Sequence, residues 1–407
     1  MTEPIMKQTL SEAVIIDAVR TPMGKGRPGG SLSGVHPMDL LVAPLRALIE
    51  RTGLDPETID DVIAGCVCQV GEQSSNIARR ALLAAGYPER VPGVTLDRKC
   101  GSSQQAVHFA AQGIMSGFYD VVVACGIESM SRVPMGSYTL GLGNEIDGEA
   151  FTARYPDGLV SQGVASELIA AKWGLTRTEL DEYAVMSQTR AAAARDEGRY
   201  DNEMIPIKVD GPDGVTLVNT DEGIRASTVE GLANLKTVFA SDEVQARFPQ
   251  IEFMTTAGNS SQITDGASAV LVTSAEKAKE LGLTPRARIV SMSVEGDDPF
   301  LMLTGVIPAT RKALDHCGLS IDDIDLFEVN EAFATVVLAW SKELGVPLDK
   351  VNVNGGAIAL GHPTGASGAR IMGTLLNALE QREARFGLQV MCEGGGMANA
   401  TIIERLS

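Results

Sequence analysis

The sequence predicts an α/β protein of two similar β/α halves with a loop domain inserted between them. Three observations predict it. The chain echoes itself three times in the same order, its short apolar runs are bounded by turn residues as buried strands are, and helical stretches alternate with those runs.

In the first echo Gly53, Leu54, Ile59 and Asp60 recur as Gly318, Leu319, Ile324 and Asp325 at one constant offset. Each copy reads as a helix, a glycine stop, a short turn and an apolar strand, at residues 62–66 and again at 326–329. The second echo sets Val94-Thr95-Leu96, entering the small-residue turn Cys100-Gly101-Ser102-Ser103, beside Val351-Asn352-Val353, entering Gly355-Gly356. Both turns are expected to lead into helices, the first at 104–115. The third matches residues 120–126 with 388–394 as buried strands that end in Cys and Gly. Chance is the competing explanation, because helix, glycine, strand is common grammar in α/β chains. Three echoes in one order favour duplication.

Between the halves the texture changes to Gly-rich stretches, polar turns, a helix at 177–195 and a charged run at 221–236. The expected organisation is an N-terminal half at 1–129 and 258–284, an inserted loop domain at 130–257, and a C-terminal half at 285–407.

Composition narrows the function. With 407 residues, 44% hydrophobic and 21% charged, the chain has the make-up of a folded protein of two or three domains. A net charge of −18 and 4% aromatics provide neither a basic stripe nor a stacking platform, which argues against nucleic acid. No apolar run approaches the roughly 18 residues of a membrane span, and residues 1–10 carry Glu3 and Lys7 without a continuous apolar stretch. A cytoplasmic protein is expected. The six cysteines are scattered without a CxxC pair, and only four histidines accompany them, so neither a disulfide framework nor a metal site is expected.

Four residues could carry chemistry. Cys100 lies between the strand at 93–96 and a helix, where helix amides stabilise a thiolate or a developing oxyanion; a small buried hydrophobe is the bland alternative. His362 lies in a Gly-rich turn, 355–368, with Pro363 restricting its backbone, and could act as a base. A phosphate loop is disfavoured there, since no Lys follows the glycines. Cys392 precedes Glu393-Gly394-Gly395-Gly396, whose free amides could bind an enolate or tetrahedral oxygen. Asn330 follows a buried strand and could order a water, or merely cap a helix.

Taken together, Cys100-Gly101-Ser102, Asn330-Glu331-Ala332-Phe333, the 355–368 turn around His362, and Cys392-Glu393-Gly394-Gly395-Gly396 resemble the thiolase family. Thr256-Ala257-Gly258-Asn259-Ser260-Ser261 with Asp265-Gly266-Ala267 adds a fifth element, and the resemblance runs in order from Ile15-Ile16-Asp17 to the C-terminal residues. It implies a duplicated thiolase fold in a layered αβαβα arrangement, and a homodimer or homotetramer. It further implies reversible cleavage of 3-ketoacyl-CoA by a ping-pong route without a tightly bound cofactor, coenzyme A being a substrate. Cys100 would carry the acyl group, His362 would take its proton, and Cys392 would be the acid and base. One oxyanion site would use His362 with a water on Asn330, the other the Cys100 and Gly394 amides. Arg225 would meet the CoA phosphates, its alternative being an exposed ion pair on a solvated helix. Ser261 would meet the pantetheine arm.

Two departures bear on the substrate. Leu303 stands where many acetoacetyl-specific members have Gly, and Ser161-Gln162-Gly163 replaces a His-Met-Gly type pattern, both in regions expected to shape the acyl pocket. Residues 71–77 and 351–363 are similar to steroid-degrading thiolases. The expected enzyme is a degradative 3-ketoacyl-CoA thiolase of broad or bulky substrates. The alternatives are a dedicated acetoacetyl-CoA-forming acetyltransferase, a decarboxylating ketoacyl synthase, against which Cys392 argues, and a silent acyl-CoA or lipid binding protein.

Overall fold

The computed structural model describes residues 11–141, 143, 145–211 and 214–406, so the reading of residues 1–10 lies outside it. Its strands are β1 (Ala13–Arg20), β2 (Gly24–Lys25), β3 (Asp61–Gly65), β4 (Gly93–Leu96), β5 (Val121–Ser129), β6 (Ile207–Gly211), β7 (Gly214–Val218), β8 (Thr264–Ser274), β9 (Ala287–Gly296), β10 (Leu326–Val329), β11 (Phe386–Glu393) and β12 (Met397–Arg405). Val, Ile and Ala runs such as Val121-Val122-Val123-Ala124 are buried on both faces, as strands between helical layers must be.

The strand order is β10-β11-β12-β9-β1-β8-β5-β3-β4, with β2 on β8. Within the sheet, the two halves are joined through Val14–Arg288 and Ile15–Ala287 at β1 and β9. Setting β2 aside and numbering within each half, the N-terminal order is 3-2-4-5-1, and the C-terminal order is 2-4-5-1 with Val351 bridging to Phe327 in the third place. Duplication is thus written in the topology.

Helices Pro37–Thr52 and Ile77–Ala85 cover the outside of the N-terminal half, and Val306–Cys317 with Ala334–Leu344 cover the outside of the C-terminal half. Helices Ser102–Met115 and Ser367–Gln381 pack on each other between the halves, burying Ala106, Ala110, Met372 and Leu376. Two outer apolar cores and a central one that fills both faces of the middle helical layer hold five layers together, the expected αβαβα stack. The site lies where both central helices begin.

Several expectations shift. The strand expected at 62–66 is β3, one residue earlier, and the helix expected from Gln104 begins at Ser102, so the small residues of the turn form its first turn. Val351-Asn352-Val353 forms a single bridge rather than a strand, because Asn352 adopts φ +47° and its side chain takes over the pairing. Asn352 Oδ1 accepts from the Val329 amide at 2.9 Å and Nδ2 donates to the Val329 carbonyl at 2.8 Å, as a strand neighbour would. The helix expected at 177–195 spans Arg177–Asp196, opened by a Thr176 and Glu179 capping box. In the charged run, Asp221 is buried against Arg20 at 2.7 Å, with Glu203 on the other side of that guanidinium at 2.6 Å.

Candidate active site

Cys100 sits just ahead of the Ser102–Met115 helix, in a turn tied to itself. Lys99 holds a left-handed φ of +47°, rare for a side-chain-bearing residue. Ser102 Oγ accepts from the Arg98 amide at 2.9 Å and donates to the Lys99 carbonyl at 2.6 Å. Burial pushes the Cys100 thiol well up, and Cys392 and Glu393 add to it; the Gly394 amide and Cys100's own amide pull it back. The resting group is therefore a thiol facing two amide donors, which suits an oxygen that becomes negative during reaction.

His362 is held at its backbone by the Gln262 carbonyl at 3.1 Å and Thr264 Oγ1 at 3.0 Å. Its Nδ1 lies 2.6 Å from Ser367 Oγ, and that hydroxyl donates to the Pro363 carbonyl at 2.9 Å. Having given its hydrogen away, Ser367 must accept from Nδ1–H, so Nε2 carries the lone pair. Burial, with Arg370 nearby, lowers the imidazole to about 3 and keeps it neutral. The His362 loop is anchored by Glu128, a buried carboxylate that accepts from the Val67, Cys68 and Gly365 amides, Gln73 Nε2 and Thr364 Oγ1, all within 2.8–3.1 Å. Gly365 permits the approach, since a Cβ there would lie 2.4 Å from the Ile127 carbonyl oxygen.

Asn330 joins the two chemistries. Its Nδ2 is 3.4 Å from His362 Nε2 and 4.0 Å from Cys392 Sγ, while its buried Oδ1 has no partner and is free to order a water. Phe333 stands at the N-terminus of the next helix, so Asn330 caps nothing. Burial holds the Cys392 thiol up at about 12, against hydrogen bonds from Asn330 and from backbone that lower it, leaving a protonated acid.

A cavity of about 430 Å³ opens on Cys100 and His362, with Ser260 and Ser261 on one side and Val67, Cys68, Lys99, Met135 and Tyr138 on another. A second, of about 510 Å³, holds Arg225 with Thr228, Leu232, Ala257 and Gly258, the last of them separated from Ser260 by Asn259 alone. Arg225 is in a loop rather than a helix, and among the described residues no carboxylate lies within ion-pair distance of it. Ser161, Gln162 and Gly163 line the first cavity, as expected. Leu303 does not: it packs in the outer core of the C-terminal half.

The thiolase N-terminal domain family matches residues 13–276, and the thiolase C-terminal domain family residues 283–405. The chain belongs to the thiolase family. It is 51% identical over 405 residues to the steroid 3-ketoacyl-CoA thiolase FadA6 of Mycobacterium tuberculosis, covering 98% of this chain and 95% of that one. It is 45% identical over 403 residues to the 3-ketoacyl-CoA thiolase of Idiomarina loihiensis, covering 98% and 100%. Among solved structures, the Bacillus anthracis acetyl-CoA acetyltransferase superposes with a TM-score of 0.88 at 39% identity, over 98% of this chain and all (100%) of that one. Human mitochondrial 3-ketoacyl-CoA thiolase gives 0.86 at 37%, over the same 98% and 100%.

In this thiolase Cys100, His362, Asn330, Cys392 and Gly394 converge, and Ser261 lines their cavity; Arg225 stands apart in the neighbouring one. Sequence reasoning missed Ser367, Glu128 and Lys99. Ser367 was within reach, as a hydroxyl five residues past the histidine. Nothing local marked Glu128, whose partners come from three separate segments.

Proposed function

We propose that this thiolase degrades 3-ketoacyl-CoA, with Cys100 as nucleophile, His362 as its base and Cys392 as the proton donor to the leaving enolate. The carrying observation is the chain of contacts from a neutral His362 with a free Nε2, through Asn330, to a protonated Cys392 beside Cys100. The names of the relatives support the substrate class.

In the cleavage direction the Cys100 sulfur attacks the ketone carbon as its proton passes to His362 Nε2. The oxygen of the tetrahedral intermediate is met by amide donors. The bond between the ketone carbon and the adjacent methylene then breaks; its electron pair forms the acetyl-CoA enolate, which takes the Cys392 proton. Free CoA then gives its thiol proton to the Cys392 thiolate and attacks the Cys100 thioester; Cys100 leaves and recovers its proton from His362, and the acyl-CoA shortened by two carbons departs. On the protein's side two thiols and one imidazole carry every proton and the first nucleophile, so the reaction as proposed uses no resident cofactor, and coenzyme A enters as substrate and second nucleophile. Ala257 and Gly258 line the Arg225 cavity and Ser260 and Ser261, a few residues on, line the Cys100 cavity, which supports CoA entry from that side with its phosphates near the unpaired guanidinium.

The substrate we favour has a long or bulky acyl chain, because the cavity beside Cys100 is walled by Val67, Met135, Tyr138 and Phe239. We place the enzyme in the cytoplasm, supported by six unpaired cysteines. No helix among the described residues is long and apolar enough to cross a membrane. We further propose a homo-oligomer built on β4, an end strand of the sheet with Val94 exposed.

The test is thiolysis across acyl chain lengths, together with half-reactions of two variants. Cys100→Ala should form no acyl-enzyme, whereas Cys392→Ala should still exchange labelled CoA into acetyl-CoA. Equal and complete loss of exchange would refute the division of roles. Strict preference for acetoacetyl-CoA would refute the substrate choice.

A further inference from the structure

Six buried polar atoms without a partner gather where the Cys100 helix meets β11 and β12: both Glu393 carboxyl oxygens, Asn399 Oδ1, Gln389 Oε1, Gln105 Oε1 and His108 Nδ1. Glu393 is fully buried and directly follows Cys392, yet the mechanism gives it no task. Side chains alternate along a strand, so Glu393 faces away from Cys392 and toward the Cys100 turn. A Cβ built on Gly101 would lie 2.0 Å from Glu393 Oε1 and 2.8 Å from Asn399 Nδ2, so both groups press on the residue after the nucleophile and any side chain there would displace them.

Glu393 pairs with Met397 across β11 and β12, which makes Asn399 its diagonal neighbour on the same face. Asn399 Nδ2 already donates to the Gly101 carbonyl at 3.0 Å. Its Oδ1 therefore needs a donor, and an ionised carboxylate offers none. A charge on Glu393 would also oppose the thiolate that forms at Cys100 as attack begins.

We propose that Glu393 is a positioning residue for acylation: its protonated carboxyl donates to Asn399 Oδ1, and Asn399 in turn holds the Gly101 carbonyl and with it the turn that presents Cys100. Burial pushes Glu393 up to about 8, with Arg98 opposing and Asp97 adding. Of the other titratable groups around it, Cys100 on the turn and His108 on the nucleophile helix lie on its face of the sheet, and Cys392, the preceding residue of its strand, points to the opposite face. Both thiols titrate far above it, and His108 is held neutral to about 3. Ionisation of Glu393 thus sets an alkaline limit on acylation that none of these groups produces.

The inference rests on the reading of Cys100 as nucleophile. The test is the pH dependence of the first turnover, with the acyl group trapped in acid and located by peptide mass, in the wild type and in Glu393→Gln. Acylation of the wild type should fall roughly tenfold between about pH 7 and pH 9, one unit beyond the titration. Glu393→Gln, a permanent amide donor, should stay within about threefold of the wild type at neutral pH and lose the alkaline fall. An unchanged alkaline fall in the variant overturns the proposal, as does a variant crippled at neutral pH. Acyl groups found elsewhere than Cys100 would overturn the underlying reading as well. Infrared difference spectra of the wild type between those two pH values should show one protonated carboxyl disappearing; a flat spectrum refutes the proposal whether or not the variant folds.

Discussion

Replacing Ser367 by alanine removes the hydroxyl that fixes which nitrogen of His362 is free. Two hydrogen bonds go: Nδ1–H to Oγ at 2.6 Å and Oγ–H to the Pro363 carbonyl at 2.9 Å. An unpaired buried donor costs about 1–3 kcal/mol, and the imidazole can evade that cost by moving its proton to Nε2, where it blocks acceptance of the Cys100 proton. Acylation should fall about 10- to 100-fold, since each 1.4 kcal/mol is a factor of ten. Stability should drop by a comparable ~1–3 kcal/mol. The assay is rapid-quench formation of the Cys100 thioester from a 3-ketoacyl-CoA, with a denaturant melt run beside it. Acylation within about twofold of the wild type, or a loss confined to KM, would refute the tautomer argument.

Arg225→Ala should raise KM for CoA substrates about tenfold with kcat within about threefold, as expected for a phosphate contact at an exposed site; steady-state kinetics with free CoA as the varied substrate would show it. Glu128→Gln should destabilise the chain by about 2–4 kcal/mol, because an amide nitrogen is set against groups that all donate to Glu128; a thermal melt unchanged within error would contradict the bond set. His362 and His108 are both lowered to about 3 by burial. The unfolded chain therefore binds protons that the folded chain refuses, and stability, complete above about pH 6.5, should fall as pH drops from there toward 3. Melting temperatures of the wild type and His108→Gln across that window should differ in slope by about one proton; parallel curves would refute the assignment.

Much of this arrangement was legible because it is local or repeated. β10 and β4 fall where the apolar runs place them, and the Cys100 turn, the His362 turn and the Cys392 strand end announce themselves by small residues. What was illegible depended on side chains acting as backbone or on distant partners. Val351-Asn352-Val353 has the composition of a strand, and only the fold shows that the Asn352 amide does a strand's pairing. Leu303 drew attention by a departure in its position, but the chain turns it into the outer core. Asp221 sat in a charged run, and its burial follows from Arg20, far away in the chain.

The Asn352 substitution leaves the two ends of the sheet unlike. Beyond β10 both hydrogen-bonding groups of Val329 are consumed by an amide side chain, while at the opposite end Asn76 Nδ2 takes the Gly93 carbonyl alone, at 2.8 Å, and Val94 stays exposed. A large sheet with one adhesive rim can pair through that rim only with the like rim of a copy of itself. Such pairing saturates at two, and strand-by-strand growth into a filament has nowhere to continue.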